Sequence, residues 1–371
     1  MNTLENISLA DASAAENAGM RAHRPSPASG EQVRTRLLSE LESINIPDFD
    51  FPWPGTCSPD AESVEQETNA WADAHKLLPD ERYRARVART KYGWLAARCY
   101  PRAGRALLQT IADYFTWYFL ADDLFVDRVE LVTPDTVPNL TAMIDVLDFN
   151  CLGTAPLYGE SAWLDICRRL RQQMSAEHFQ RFANGMRMWA STAGLQILSH
   201  THSTSLSLRQ YQTVRRHTSG MNPCLDLVDI ANHGPLSASE YNLPAVQQLR
   251  RHTNNVVCWS NDIQSLGIEL RQPGQYRNMV GIYAAQGHSL QESVDYTAMR
   301  VRAEIDDFAA LAGAMEMHAS PALQGAIAGM KDWMRGYQDW VGSDTQRYSE
   351  AFAGQDADDR GMLAPRNQLQ R

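Results

Sequence analysis

An all-α fold, built as a single helical domain around a central active-site cavity, is what the sequence predicts. Three observations predict it. Apolar residues recur at helical spacing almost continuously from Ala61 onward, no stretch sustains the strict alternation of a half-buried strand, and no short repeat is evident.

The elements follow in order. Residues 1–50 carry Ala, Ser, Asn and Pro with little periodic apolar content, so a mostly disordered extension is expected, with one short helix over Arg34–Ile44. Pro47, Pro52 and Pro54 then prevent a regular helix up to about Pro59. The domain is expected over residues 51–352. Ser63–Leu77 is amphipathic, and Asp80–Ala97 and Ala103–Asp123 follow, separated by Pro101. Further helices are expected over Pro134–Phe149, Ser161–Met174, Ala176–Leu198, Ser207–Thr218, Asn222–Ala231 and Pro244–Leu270. Gln275–Gln286, Ser289–Leu311 and Pro321–Val341 complete the series, and a polar tail, residues 353–371, is expected to be disordered.

Composition narrows the function. The chain has 371 residues and a net charge of −10 with no basic block, which argues against nucleic acid as a partner. Six cysteines, none in a Cys-x-x-Cys pair, read as reduced core residues of a cytoplasmic protein. Met1–Gly30 holds no apolar core of signal-peptide type, and the richest apolar stretch is interrupted by Gln109 and Asp113, so no stable membrane insertion is expected.

Two polar clusters stand inside apolar helical stretches: Asp122-Asp123-Leu124-Phe125-Val126-Asp127, and Asn261-Asp262-Ile263-Gln264-Ser265-Leu266-Gly267-Ile268-Glu269. They offer carboxylate, amide and hydroxyl oxygens, the ligands that Mg²⁺ prefers, and Mg²⁺ is commonly shared between a few carboxylates and substrate phosphates. On a helix Asn261, Ser265 and Glu269 fall at i, i+4 and i+8, in a line about 12 Å long. Asp123 and Asp127 share a face, with Asp122 about 100° away. A solvated acidic face is the plain alternative for the first cluster. Against it, the preceding Leu107–Ala121 is mostly apolar and includes Phe115, Trp117, Tyr118 and Phe119. A buried helix that ends in carboxylates needs a cation or a donor network to offset their desolvation.

With these residues in view, the chain resembles the bacterial class I terpene synthases, which pair an aspartate-rich helix motif with a later Asn-Asp-x-x-Ser-x-x-x-Glu motif. Ala97-Arg98-Cys99-Tyr100-Pro101 resembles the family's approach to its first motif. Tyr211 to Gly220 resembles its mid-chain arginine and helix break, and Arg347-Tyr348 its terminal pair. The resemblance covers about Phe51 to Phe352 and implies an α-helical class I terpenoid synthase domain. It also implies a prenyl diphosphate substrate, three Mg²⁺ ions and a homodimer. Asp122, Asp123 and Asp127 are then the first metal motif, and Asn261, Ser265 and Glu269 the second, with Asp262 supporting the helix. Arg215, 46 positions before Asn261, matches the diphosphate sensor, with Arg216 as its competitor. Thr218 is then the linker, and Ser219 presents a backbone carbonyl to the substrate. Arg347 would grip diphosphate bidentately and Tyr348 would donate its hydroxyl. Tyr118, Phe119 and Trp340 are the expected cavity aromatics, since carbocations are stabilised over aromatic faces. Trp94, Phe115, Trp117, Trp259 and Trp333 are expected to be ordinary core.

The pattern also departs from the family. Three residues separate Asp123 from Asp127, one more than usual, and Ile268 stands where many relatives carry a diphosphate-binding lysine, with Arg271 or Arg277 as substitutes. Asp356-Ala357-Asp358-Asp359 matches the acid motif of class II cyclases but sits in a polar tail, where no cavity desolvates the central Asp so that it can act as an acid. His200 and His202 lack further ligands for zinc and read as a polar loop. The rival enzyme is a chain-elongating prenyltransferase, which would use two aspartate-rich motifs. The rival non-enzyme is a helical binding protein with solvated acidic clusters. The expected reaction is ionisation of an acyclic prenyl diphosphate, farnesyl diphosphate first, with geranyl and geranylgeranyl diphosphate as alternatives, and cyclisation of the cation.

Overall fold

The computed structural model describes residues 30–125, 134, 136–201, 206–232, 234–271 and 278–349. Every regular element among them is helical. The helices are α1 (Gly30–Glu40), α2 (Ala61–Ala74), α3 (Glu81–Ala88), α4 (Tyr92–Cys99), α5 (Arg105–Phe125), α6 (Thr136–Phe149), α7 (Glu160–Gln173) and α8 (Ala176–Thr201). They continue as α9 (Leu208–Thr218), α10 (Met221–Leu225), α11 (Ala238–Tyr241), α12 (Pro244–Gln264), α13 (Leu266–Glu269), α14 (Met279–Ala284), α15 (Leu290–Glu316) and α16 (Pro321–Asp339).

Two long buried helices organise the packing. α5 lies against α2, α4 and α7, and α12 lies against α15 and α16. The buried aromatics of α5 hold it in place. Trp117 stacks on Trp163 at 4.2 Å and donates its indole N–H to the Gly159 carbonyl at 2.9 Å. Asp113, expected only to interrupt an apolar run, is a buried tie. It accepts from Thr68 and from Arg169, each at 2.7 Å, so one carboxylate joins α5 to α2 and α7. Burial pushes its carboxyl upward, against the pull of Arg169. Phe115, Trp117, Trp259 and Trp333 are buried core, as expected, and Trp94 is partly buried.

Three expectations are corrected. First, residues 1–50 are not an extension throughout: the expected short helix is present, as Gly30–Glu40 with a 3-10 turn over Leu41–Ser43, and the segment is docked, with Leu37 and Phe49 buried. Second, Pro244–Leu270 is not one helix. Ser265 donates its hydroxyl to the Asn261 carbonyl at 2.8 Å, and this back-bonding accompanies a break that starts α13 anew. Third, Asp80–Ala97 breaks before Tyr92, with Lys91 in the left-handed region at φ 58°. The break leaves the Thr90 carbonyl for another donor, and Trp340 supplies it: its indole N–H reaches Thr90 O at 3.1 Å and also approaches Lys91 O at 2.9 Å, which already accepts the Leu95 N–H.

Candidate active site

α5 delivers two columns of side chains, each one helical turn long. Tyr118 precedes Asp122, and Phe119 precedes Asp123. In the first column Asp122 Oδ1 accepts the indole N–H of Trp189 at 3.2 Å, and Trp189 packs on Tyr118 at 5.2 Å. In the second column Asp123 meets Arg347: Nη2 reaches Oδ1 at 2.7 Å and Nη1 reaches Oδ2 at 3.3 Å. Phe119 lies near the same guanidinium, 5.0 Å away, and its ring stacks on Tyr92 at 4.7 Å and 14°. The Tyr92 hydroxyl accepts from Arg347 at 3.0 Å, closing the group. Burial opposes the charge of Arg347, but Asp123 and Tyr92 outweigh it and hold the guanidinium well above its ordinary range.

α12 delivers the second cluster. Asn261 donates its amide N–H₂ to the hydroxyls of Tyr348 (2.9 Å) and Tyr337 (3.1 Å). Its Oδ1 accepts from Arg215 Nη2 at 2.5 Å. Ser265 Oγ, whose single O–H is shared with the Asn261 carbonyl, lies 2.5 Å from Glu269 Oε1, so two of the expected ligands already touch. Asp262 has partners of its own. It is completely buried, accepts from the Tyr211 hydroxyl at 2.5 Å and the Met279 N–H at 2.9 Å, and lies 3.1 Å from Arg215. It supports nearby donors, Arg215 and Tyr211 among them. Burial pushes its carboxyl up, while Arg215 and the donors pull back.

The consecutive residues Arg347 and Tyr348 therefore join the two clusters, one gripping Asp123 and the other Asn261. Arg215 completes the network, and it rather than Arg216 reaches Asn261 and Asp262. The helix break after α9 is in place. Thr218 ends the helix, Gly220 takes φ 71°, and the Thr218 carbonyl accepts from the Tyr118 hydroxyl at 3.1 Å. Gly220 is required twice over: its φ favours glycine, and an added Cβ would collide with the Tyr118 ring and hydroxyl.

Trp340 is corrected. It lies on no helix with Arg347: α16 ends at Asp339, and a π-helical turn over Trp340–Asp344 precedes Arg347. Completely buried, it meets Tyr348 edge-on at 6.1 Å, so it is a strut beneath the Arg-Tyr pair and not a cavity wall. Arg271 Nη1 donates to Gly267 O at 2.6 Å. Asp127, Arg277, His202 and Asp356–Asp359 lie outside the described residues. Tyr92, Trp189 and Tyr337 were missed by sequence reasoning. No local motif marks them, and only the tertiary fold brings them to the clusters.

The donor set fits a hard cation. Among the described residues no three His, Cys, Asp or Glu side chains gather as a metal group. The oxygens that do gather are a mixed carboxylate, amide and hydroxyl set, which suits Mg²⁺ and not a softer metal. Fit to an anion is visible too: the buried Nε of Arg215 has no hydrogen-bond partner among the described residues.

Comparison with known proteins agrees with this geometry. Residues 113–307 match the family described as terpene synthase family 2, C-terminal metal binding. A sesquiterpene synthase of Metarhizium brunneum is 59% identical over 329 residues, covering 89% of this chain and 96% of the relative. The (+)-corvol ether B synthase/(+)-corvol ether A synthase of Kitasatospora setae, described as (2E,6E)-farnesyl diphosphate cyclizing, is 59% identical over 317 residues. That match covers 85% of this chain and 99% of the relative. Among solved structures, the linalool/nerolidol synthase of Streptomyces clavuligerus superposes with a TM-score of 0.71 at 21% identity, covering 79% of this chain and all of that one. At that identity the likeness shows the fold.

Proposed function

The chain belongs to the terpene synthase family, and from that premise we propose that it ionises farnesyl diphosphate and cyclises the cation to a sesquiterpene hydrocarbon or alcohol. The observation that carries the reading is the Arg347-Tyr348 bridge between Asp123 and Asn261, with Arg215 and its unpartnered Nε on the same amide. The relatives' farnesyl diphosphate cyclisation supports the choice of substrate over geranyl and geranylgeranyl diphosphate.

Asp122, Asp123 and Asp127 would hold Mg²⁺ on one side, and Asn261, Ser265 and Glu269 on the other, for three ions in all. Bound there, Mg²⁺ supplies Lewis acidity to the diphosphate oxygens and lets the allylic C–O bond break. Arg347 and Arg215 present guanidinium donors to the departing diphosphate, and Tyr348 adds a hydroxyl. Tyr118 and Phe119 offer aromatic faces to the cation, one turn from the aspartates. Ser219 directs its backbone carbonyl dipole toward the same space, steadied by the Tyr118–Thr218 hydrogen bond.

The cytoplasm as compartment and a homodimer as assembly belong to the same proposal. All six cysteines are free, and no described helix is long and apolar enough to cross a membrane. The test is incubation with geranyl, farnesyl and geranylgeranyl diphosphates, with Mg²⁺ or with EDTA, and gas chromatography of a hexane extract. A Mg²⁺-dependent volatile product from farnesyl diphosphate is expected. Turnover that survives EDTA, or no product from any of the three, would overturn the reading.

A further inference from the structure

Glu269 is the last residue of α13, a helix of four residues. The carbonyls at the end of so short a helix have no partners within it. Two carbonyls that follow Glu269 are satisfied from the other end of the chain. Arg34 Nε donates to Leu270 O at 3.0 Å, and Arg34 Nη2 donates to Arg271 O at 2.8 Å. The guanidinium fork thus matches two consecutive carbonyls and sets positive charge at the negative end of the helix.

Arg34 is itself firmly placed. α1 is anchored by Leu37, which is completely buried, and by Arg36, which donates to Ala284 O and His288 O, each at 3.1 Å. The Glu40 carboxylate accepts the Leu290 N–H at 2.6 Å. Just beyond α1, Leu41 lies close to Gly267, within the short helix that carries Glu269.

We infer that Arg34 is a positioning residue for Glu269: by capping α13 it fixes the carboxylate that closes the second cluster. The inference rests on the reading of that cluster as a Mg²⁺ site. Ser265 holds Glu269 from one side at 2.5 Å, and Arg34 holds the backbone behind it. Groups just outside a metal's ligand shell orient the ligands, and their loss weakens metal binding without removing a ligand.

Arg36 provides the internal comparison. It sits on the same helix and makes the same kind of contact, but on carbonyls that adjoin no expected ligand. The experiment compares wild type, Arg34→Ala, Arg34→Lys and Arg36→Ala as full-length proteins. It measures calorimetric Mg²⁺ titration in the presence of inorganic diphosphate, thermal midpoints, and amide hydrogen exchange over residues 266–271 without ligand. Arg34→Ala is expected to weaken Mg²⁺ binding about tenfold and to speed exchange over 266–271. Arg34→Lys, which keeps the charge and reaches one carbonyl, falls between, and it preserves the test if Arg34→Ala does not fold. Arg36→Ala is expected to lower the midpoint without moving Mg²⁺ affinity. Unchanged Mg²⁺ affinity in both Arg34 variants, or an equal loss in Arg36→Ala, overturns the inference. A wild type that binds no Mg²⁺ with diphosphate overturns the reading of the cluster itself, and that arm is separate.

Discussion

Each polar cluster has one arginine on one of its expected ligands, and the two arginines are held differently. Arg215 touches Asn261, yet it also faces Asp262, a completely buried carboxylate tied to Tyr211 and Met279. When Asn261 turns to another partner, Arg215 keeps its counter-charge. Arg347 is different. Among the described residues its carboxylate partner is Asp123 alone, with the neutral Tyr92 hydroxyl beside it. If Asp123 turns to a cation, Arg347 is left buried without an anion, and a diphosphate is the natural replacement. The second cluster is therefore preorganised by a permanent ion pair behind it, whereas the first is poised for exchange.

The largest effects come from removing one ligand in each cluster. Asp123→Asn and Asn261→Ala should both lose most turnover, on the order of a thousandfold, because charge neutralisation at the leaving group is the main catalytic task. The cause of the stability loss separates them. Asp123→Asn leaves the largely buried Arg347 guanidinium without its carboxylate. Asn261→Ala leaves Arg215 paired with Asp262 but loses the hydrogen bonds to Arg215, Tyr337 and Tyr348, about 1 kcal/mol each. Chemical denaturation at low and high salt measures the difference: the loss in Asp123→Asn should shrink at high salt, and equal salt dependence would break the comparison.

A more sensitive probe removes the arginines. Arg347→Gln frees Asp123 and should tighten Mg²⁺ binding in the absence of diphosphate several-fold, since a competing cation is gone. Turnover should still fall, because diphosphate loses a bidentate donor. Arg215→Gln should not tighten Mg²⁺ and should destabilise the protein, because Asp262 is left buried without its counter-charge. Calorimetric titration of Mg²⁺ into both variants decides this. The same response in both would show that the two arginines are equivalent.

Much of this contrast is legible in the sequence. The i, i+4, i+8 spacing of Asn261, Ser265 and Glu269 marks one face of a helix, and the apolar run before Asp122 marks a buried approach. Helix existence follows from periodicity, and Asp262's supporting role follows from the resemblance of the motif. Three features do not follow, each because its partner is distant in sequence. Trp189 reaches Asp122 across 67 positions from the middle of a long helix with nothing local to distinguish it. The docking of α1 depends on arginines donating to backbone carbonyls more than 200 positions away, which hydropathy cannot register. The break before Tyr92 is completed by Trp340, 250 positions away from Thr90. Without that break Tyr92 would not stack on Phe119, and the periodic pattern alone reads as one continuous helix.

Trp340 offers the smallest and most discriminating effect. Aromatic residues near a terminal Arg-Tyr pair invite the reading of a cavity wall, and in that case a change of ring alters which product forms. The structure places Trp340 instead as a buried strut, with its indole N–H on Thr90 and Lys91 and its ring edge-on to Tyr348. Trp340→Phe keeps an aromatic ring but loses the donor, leaving the Thr90 carbonyl without its hydrogen bond while Lys91 O keeps the Leu95 N–H, at a cost of about 1–3 kcal/mol. The thermal midpoint should fall while the product ratio stays as in wild type. Turnover should drop only modestly, because Tyr348 and Arg347 keep their hydrogen bonds to Asn261 and Asp123. A changed product ratio at an unchanged midpoint would return Trp340 to the cavity wall. It would also mean that the bridge between the clusters is supported from elsewhere.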